Sequence, residues 1–569
     1  MTDRMLSRMS AISVAIVAAM FPSLAGAQLR GLTLEELMAL DAGMVFGASE
    51  RLQPVTEAPA SVTFITAQEI ARFGYRSLAD ILRGVRGMYV TDDRNFSYVG
   101  TRGFARPGDY NRRILLLING HRVNDNIFGQ AEIGPELGID PAMFDRVEII
   151  RGPASSLYGD SAFFAVVNVI TRSGASLNGG SITVEAGTER TQLVRASAGR
   201  GLANGLDVAV SATFAGSAGV RRLYFPAFDT AATNNGVAEG LDGEGVRQLY
   251  GRVTFKGLDV TAAYGSRQRD VPTASFDTVF NEQVWRTETT DRHTLVDAQY
   301  GRSIRGTRLT FRGSYDQFSY AATYPFAVES DSTPTLVGQA AGLGRRWSAG
   351  SGMTRAFRGR QTLRAGVEFI ANVKQDQSAR YIGIPVPLLD TDRSSRQEAV
   401  YLQHEIKLTR ALIINTGLRY DRYDQFQRVT PRAALIVLPS STQSFKYLYG
   451  NAFRAPNENE LNTVYFGKQV ELLRPESINT QGELRRSGRS RSADAARPPQ
   501  FAAARRQGAY QPARADVSVV RVGREPVSQQ SDHADRFTGV GWSHRERPCR
   551  PATGRRLGAF RRCAKPLQP

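Results

Sequence analysis

A chain of 569 residues has room for two or three domains, or for one large barrel beside a smaller domain, and 41% apolar residues suit a packed or membrane-embedded structure. The net charge of +18 is unevenly placed: residues 485–569 hold 18 Arg and 1 Lys against 6 acids, a balance of +13, which leaves +5 for residues 1–484. That placement counts against a nucleic-acid-binding body, because the basic charge lies outside it. Both cysteines, Cys549 and Cys563, lie in the same late stretch, and a thiol-free body suits an oxidising compartment.

At the N-terminus, Arg4 and Arg8 precede the apolar run "AISVAIVAAMF". Ala25, Gly26 and Ala27 then form a small-x-small cleavage site, so residues 1–27 read as a signal peptide with a mature start at Gln28. The run is too short to span a bilayer comfortably, and no later stretch has 18 consecutive apolar residues. If this exported chain is held in a membrane, it must cross as a β-barrel. After a linker over residues 28–58, residues 59–173 mix short apolar strands with one amphipathic helix, "AQEIARFGYRSLADILRGVRG". Thr66 is its N-cap, and Glu69 three residues on completes a capping box. This predicts a small α+β domain.

From Gly174 the apolar period changes to two. "LRAGVEFIANVK" puts Leu363, Ala365, Val367, Phe369, Ala371 and Val373 on one face, with Arg364, Gly366, Glu368 and Asn372 on the other. "LTFRGSYD" and "INTGLRYD" alternate in the same way. About 13 such segments of roughly 10 residues, separated by tight turns and longer polar loops, are the pattern of an antiparallel transmembrane β-barrel over residues 174–484.

Chemistry-bearing constellations are not apparent. The five histidines (His121, His293, His404, His533 and His544) are scattered, without metal-ligand or nucleophile-activating spacing. His121 reads as a loop residue and His404 as a strand residue. The acids of "LDGEG", Asp242 and Glu244, read as solvated loop carboxylates. An enzyme is not expected.

The most specific strings lie within residues 44–173: "APASVTFITAQEI", "SLADILRGVRGMYV", "YVGTRGF", "RILLLINGHRVND" and "VEIIRGPASSLYGDSAFFAVVNVITR". Their order and spacing resemble the plug domain of TonB-dependent outer-membrane receptors. "FRAPNENEL" and "LLRPES" look like barrel motifs of the same family. One departure is Ala165, where the family usually has glycine. The resemblance implies a plug inside a barrel of 22 strands, of which about 13 are recognisable here, and energised uptake of a scarce ligand. That ligand is typically a ferric siderophore, cobalamin or haem. The absence of a histidine between Phe453 and Gln481 counts against haem.

The resemblance also implies partners and sites. Energy would come from the TonB protein of the inner membrane, which pulls on a short N-terminal segment, the TonB box. That partner pairs by strand addition, which needs an extended, β-prone and unburied stretch. Gly43, Met44, Val45, Phe46, Gly47, Ala48 and Ser49 are the expected box. Arg102, Gly103, Glu148, Arg151, Gly152 and Pro153 fall in motif positions used at the plug core and in gating. The polar plug loops would meet the ligand, with Arg94, Tyr98, Arg106, Tyr110 and Phe128 gripping an anionic or aromatic group. No cofactor or resident metal is expected; iron or cobalt would arrive within a chelate. Outer-membrane lipid is the expected surroundings, and nucleic acid is not a partner.

From Arg485 the alternation stops, and residues 485–569 form an Arg- and Pro-rich tail expected to be disordered. With 18 Arg beside 1 Lys, it reads as a GC-rich gene in a shifted frame, with the shift near codons 480–485. The rival readings are a non-functional receptor relic and a secreted nucleic-acid-binding protein using this tail.

Overall fold

The computed structural model describes residues 44–45, 47, 53–104, 108–327, 335–440 and 443–462, and the backbone alone at 464–465, 468–469, 476–480, 485–487 and 520–522. The expected signal peptide lies outside the described residues, as does nearly all of the expected frame-shifted tail.

The N-terminal part begins with β1 (Met44–Val45) paired to β2 (Gln53–Pro54). It continues through β3 (Ser61–Thr66), β4 (Met88–Asp92), β5 (Ser97–Thr101), β6 (Ile114–Ile118), β7 (His121–Arg122), β8 (Phe144–Arg151) and β9 (Ala165–Thr171). Five of these form one sheet in the order β3-β8-β9-β6-β7. Strand β6, "ILLLI", is buried at every residue because both faces of the sheet are covered. One face packs Leu116, Val147, Ile149 and Val167 against Ile70, Leu78, Ile81 and Leu82. The other packs Leu115, Leu117, Ile150 and Val166 against Val45, Leu157 and Tyr158. Ala165 is fully buried in β9, in register with Ile114 and Arg151, so the methyl group is accommodated.

The single helix expected after Thr66 is two, Ala67–Phe73 and Leu78–Arg83. The capping box of Thr66 and Glu69 forms as expected. Gly74 then adopts φ 64° and closes the first helix with a left-handed cap, and Ser77 restarts the chain by accepting from the amide of Asp80. Amphipathic period alone runs through such a break.

The rest is one antiparallel sheet. Its strands are β10 (Gly179–Ala186), β11 (Gln192–Gly201) and β12 (Asp207–Ser217), then, after a loop ribbon of β13 (Arg222–Tyr224) and β14 (Val237–Glu239), β15 (Glu244–Phe255), β16 (Leu258–Asp270), β17 (Glu288–Ile304), β18 (Thr307–Ala327), β19 (Thr335–Phe357) and β20 (Gln361–Tyr381). A short β21 (Leu389–Thr391) precedes β22 (Ser395–Lys407), β23 (Leu412–Tyr423), β24 (Gln427–Ser440) and β25 (Gln443–Arg454). Among the described residues, β10–β12, β15–β20 and β22–β25 make 13 long strands in sequential order, and Glu476–Thr480 pairs beyond β25. The alternation has the expected sides: Val367, Phe369 and Val373 are exposed outward, while Glu368 faces the plug and ion-pairs with Arg419. Strands β18–β20 run 21 to 23 residues, twice the expected length, because pairing continues past the membrane layer toward the long loops. Tight turns gather at one end and long connections at the other, which makes the first end periplasmic and the second extracellular.

Candidate functional site

Of the expected TonB box, Met44 and Val45 are extended as β1, but Val45 and Gly47 are buried. Val45 is fully buried among Ile150, Leu157 and Tyr158, and β1 is held by β2. The Gly47 amide donates to Glu148 Oε2 at 2.7 Å, and the Tyr158 hydroxyl donates to the Gly47 carbonyl. The physical reason is the apolar side chain of Val45, which finds a ready pocket, and the carboxylate of Glu148, which is fully buried and needs donors. Arg146 Nε supplies another at 3.0 Å. A Cβ on Gly47 would stand 2.7 Å from Ile150 Cδ1, so the tip of that side chain would have to shift to admit it. Gly43, Phe46, Ala48 and Ser49 lie outside the described residues.

The other motif residues organise plug turns. Arg102 has φ 53° and its amide donates to the Gly87 carbonyl; Gly103 follows it on the surface with φ 85°. Arg151 donates to the Arg86 carbonyl and to Thr63 Oγ1, both at 2.6 Å, fastening the sheet to the helix pair. Gly152, at φ 104°, donates to the Phe164 carbonyl, and Pro153 follows it beneath Gly450 of β25.

The seam between plug and barrel is built largely by residues that the sequence did not single out. His121, read as a loop residue, is 4% exposed in β7; its Nε2 lies 2.9 Å from Asp316 and its Nδ1 3.6 Å from Asp297. His293 of the wall meets plug Glu132 at 3.2 Å. Burial drives the Glu132 carboxyl up to about 7, against the opposing pull of His293. Arg346 donates to the carbonyls of Asn124 and Arg122, Arg312 to that of Asn119, and Arg419 to that of Leu157. These arginines occupy lumen-facing positions of the two-residue period, and that alternation was the available signal. His404, by contrast, is a strand residue facing Gln361, as expected. Asp242 corrects the solvated reading of "LDGEG": it is 4% exposed and pairs with Arg269 at 2.6 Å and Arg94 at 3.2 Å. Among the described residues, no group of three or more His, Cys, Asp or Glu side chains could hold a metal ion.

On the extracellular side a cavity of about 290 Å³ opens between plug and wall. Arg122, Asn124, Asn126 and Asp160 line its plug side; Arg346, Arg396, Tyr423 and Arg454 are among its barrel lining. The "FRAPNENEL" segment ties the two sides together. Glu460 accepts from Arg454 at 2.7 Å and Arg112 at 2.5 Å, the Ala455 amide donates to Asp160 at 2.6 Å, and Asn457 donates to the Phe128 carbonyl. A second cavity, of about 940 Å³, lies below, lined by Arg146, Arg252, Arg312 and Glu368 among others.

Of the five expected ligand residues, three share one aromatic chain. Tyr98 and Phe128 flank Tyr110 at 6.2 and 6.5 Å, and Phe128 continues to Phe318 and Tyr320 of the wall. Tyr98 is buried and donates to Asp93, which, with burial the larger cause, holds its hydroxyl well above the usual range. Arg94 stands apart, held by Asp242, and Arg106 lies outside the described residues.

Comparison with known proteins agrees with this architecture. Residues 54–166 match the TonB-dependent receptor plug domain, and residues 189–485, just over half of the chain, match the TonB-dependent receptor-like β-barrel. The vitamin B12 transporter BtuB of Vibrio vulnificus (strain CMCP6) is 34% identical over 166 residues, 28% of this chain and 26% of that protein. The iron-regulated outer membrane virulence protein of Vibrio cholerae serotype O1 is 33% identical over 136 residues, 23% of this chain and 20% of that one. The matched stretch thus spans about a quarter or less of these relatives. Among solved structures, the pyoverdine receptor FpvA of Pseudomonas aeruginosa PAO1 is similar at TM-score 0.60 and 16% identity, over 78% of this chain and 69% of that one. A mutant of the ferric enterobactin receptor PfeA from Pseudomonas aeruginosa is similar at TM-score 0.57 and 17% identity, over 75% and 68%. At such identities the likeness is one of fold.

Proposed function

The chain belongs to the TonB-dependent receptor family of outer-membrane proteins, and from that premise we propose that it takes up a scarce metal chelate, a ferric siderophore or a cobalamin-like compound, by TonB-driven rearrangement of its plug. The observation that carries this reading is the extracellular cavity floored by the plug and walled by the barrel, with Arg122, Arg346, Arg396 and Arg454 around it. Guanidinium groups in a partly dry cleft favour anionic oxygen-rich ligands. The Tyr110–Phe128–Tyr320 chain adjoins the plug loop that lines it at Asn126 and Gly129, and would offer a planar group aromatic neighbours. The docked segment at Val45 and Gly47 is the handle for TonB. The family consists of transport receptors rather than enzymes.

The test is growth rescue. A strain stripped of its own chelate and cobalamin receptors would express the full chain and be offered a panel of ferric chelates and cobalamin as limiting nutrients. Growth on one compound that disappears when TonB is deleted is the expected result. A chain present in the outer membrane that supports growth on none of them would overturn the proposal.

A further inference from the structure

Three periplasmic turns break the same local rule. Two-residue hairpin turns with both central residues at positive φ strongly favour Asn-Gly or Asp-Gly, because a larger side chain is strained at the first position. Between β15 and β16 that position is Lys256 at φ 46°, and between β17 and β18 it is Arg305 at φ 48°. In the slightly longer turn after β19 it is Arg358 at φ 50°. Each is followed by a glycine and preceded by an exposed apolar residue: Phe255 at 38%, Ile304 at 47% and Phe357 at 37%. Repeated local strain at exposed positions marks a residue kept for something other than the turn itself.

The surroundings show for what. Residues 301–308, 354–361 and 407–412 contain no acid, yet carry exposed Arg302, Arg355, Arg360 and Arg410 besides the turn residues. The nearby carboxylates are occupied: Asp259 with Arg252, Glu57 with Lys407, and Asp207 with the amides of Gly174 and Ala175. This concentration is local, since residues 1–484 as a whole carry only +5.

Strand register then decides between lipid and protein. Ile304 lies two residues beyond Arg302 and four beyond Tyr300, so all three share one face of β17; Phe357, Arg355 and Met353 share one face of β19. Tyr300 and Met353, each 38% exposed, belong to the outward apolar belt with Phe311 and Trp347. Arg302 and Arg355 therefore project from the bilayer-facing side, at its periplasmic edge. The Arg355 guanidinium lies 5.1 Å from the Phe357 ring, and Lys256 Nζ lies 5.0 Å from the Phe255 ring. An apolar residue reaching into the interface beside a cation is the arrangement that engages an acyl chain and its phosphate together.

We propose that this rim is a binding surface for anionic phospholipid headgroups of the periplasmic leaflet, with Lys256, Arg305 and Arg358 as the turn-tip contacts. The inference rests on the outer-membrane barrel but not on which chelate is transported. It assigns the strained turns to lipid recognition at a defined arc of the wall, β15 to β20.

The experiment uses the full chain folded in neutral detergent micelles, with native mass spectrometry reading lipid bound against lipid added. Phosphatidylglycerol is the anionic probe and phosphatidylethanolamine the zwitterionic control. The variant is K256N/R305N/R358N, which places at each left-handed position a residue that tolerates it, so the turns keep their shape. Phosphatidylglycerol should bind the parent chain preferentially, and the variant should bind it about tenfold more weakly or worse, with phosphatidylethanolamine unchanged. Equal binding of the two lipids by the parent would overturn the proposal, as would retention of phosphatidylglycerol affinity by the variant. Binding of an acidic peptide, such as polyglutamate, without any preference for phosphatidylglycerol would overturn it in favour of a protein partner.

Discussion

The backbone amide of Gly47 donates to the carboxylate of Glu148 across 101 residues of sequence, at 2.7 Å in a site closed to solvent. The segment proposed as the handle for TonB is thereby fastened to the central plug sheet through β8, the strand that leads into the "RGP" motif.

Gly47→Ala should undo that fastening. The new methyl would stand 2.7 Å from Ile150 Cδ1 and 3.1 Å from Glu148 Oε2, so one of them must move. Both contacts are side-chain tips, so the cost falls at the low end of the about 1–3 kcal/mol typical of overpacking, enough for roughly a fivefold rise in amide exchange across the segment. Hydrogen–deuterium exchange with mass spectrometry reads it directly. Unchanged protection of the segment would refute the docking role. Val45→Pro should separately abolish energised uptake while leaving ligand binding intact, measured with whichever chelate rescues growth.

Arg419 is 1% exposed and binds Asp421 at 2.9 Å, Glu368 at 2.7 Å and the Leu157 carbonyl at 3.1 Å. Arg419→Ala would leave the buried carboxylate of Asp421 without its cation and release the partly exposed Glu368, and uncovering one partner of a buried ion pair costs about 3–5 kcal/mol. A clear fall in the thermal midpoint of the chain in micelles is expected. Arg419→Lys should recover little of it, because a single ammonium cannot reach three acceptors in different directions.

Glu460 holds two guanidinium groups at once, those of Arg112 in the plug and Arg454 in the wall. Glu460→Ala should loosen the loop that follows β25 and open the bond after Arg454 to trypsin, a cleavage that limited proteolysis and mass mapping would detect. Resistance equal to the parent's would show that the remaining contacts of Asn457 and Ala455 suffice.

The Glu132 carboxyl, held at about 7, keeps a proton in the folded chain that it gives up near 4.5 when unfolded. The folded state therefore binds more protons between those values, and stability falls as pH rises through that window. Thermal midpoints measured across it should decline with rising pH, and Glu132→Gln should flatten the decline. A slope that survives the substitution would point to other groups in the seam.

The fold was legible because its signals are local. Period-two alternation from Leu363 to Val373, the Thr66–Glu69 capping box and the ordered plug strings each need only neighbouring residues. The helix break at Gly74 was missed because a left-handed cap leaves the apolar period undisturbed. The site was legible only in part. Tyr98, Tyr110 and Phe128 do meet, yet Arg94 is turned toward Asp242. His121 looked like a loop residue because its partners, Asp297 and Asp316, lie 176 and 195 residues away on barrel strands. Pairings at that distance leave no trace in one sequence.

The sheet order β3-β8-β9-β6-β7 also has a mechanical meaning. The strand nearest the N-terminus is an outer strand, and the parallel pair β6–β9 lies on the far side of β8. Tension applied at the N-terminal handle would load β1 and β2 first, then the pairing of Ser61–Thr66 with Arg146–Arg151, before reaching the innermost strands. The plug can therefore yield like a seam unpicked from its hem, stitch by stitch. On the proposed TonB-driven uptake, a short pull would unpick the outer strand and leave the inner ones sewn together.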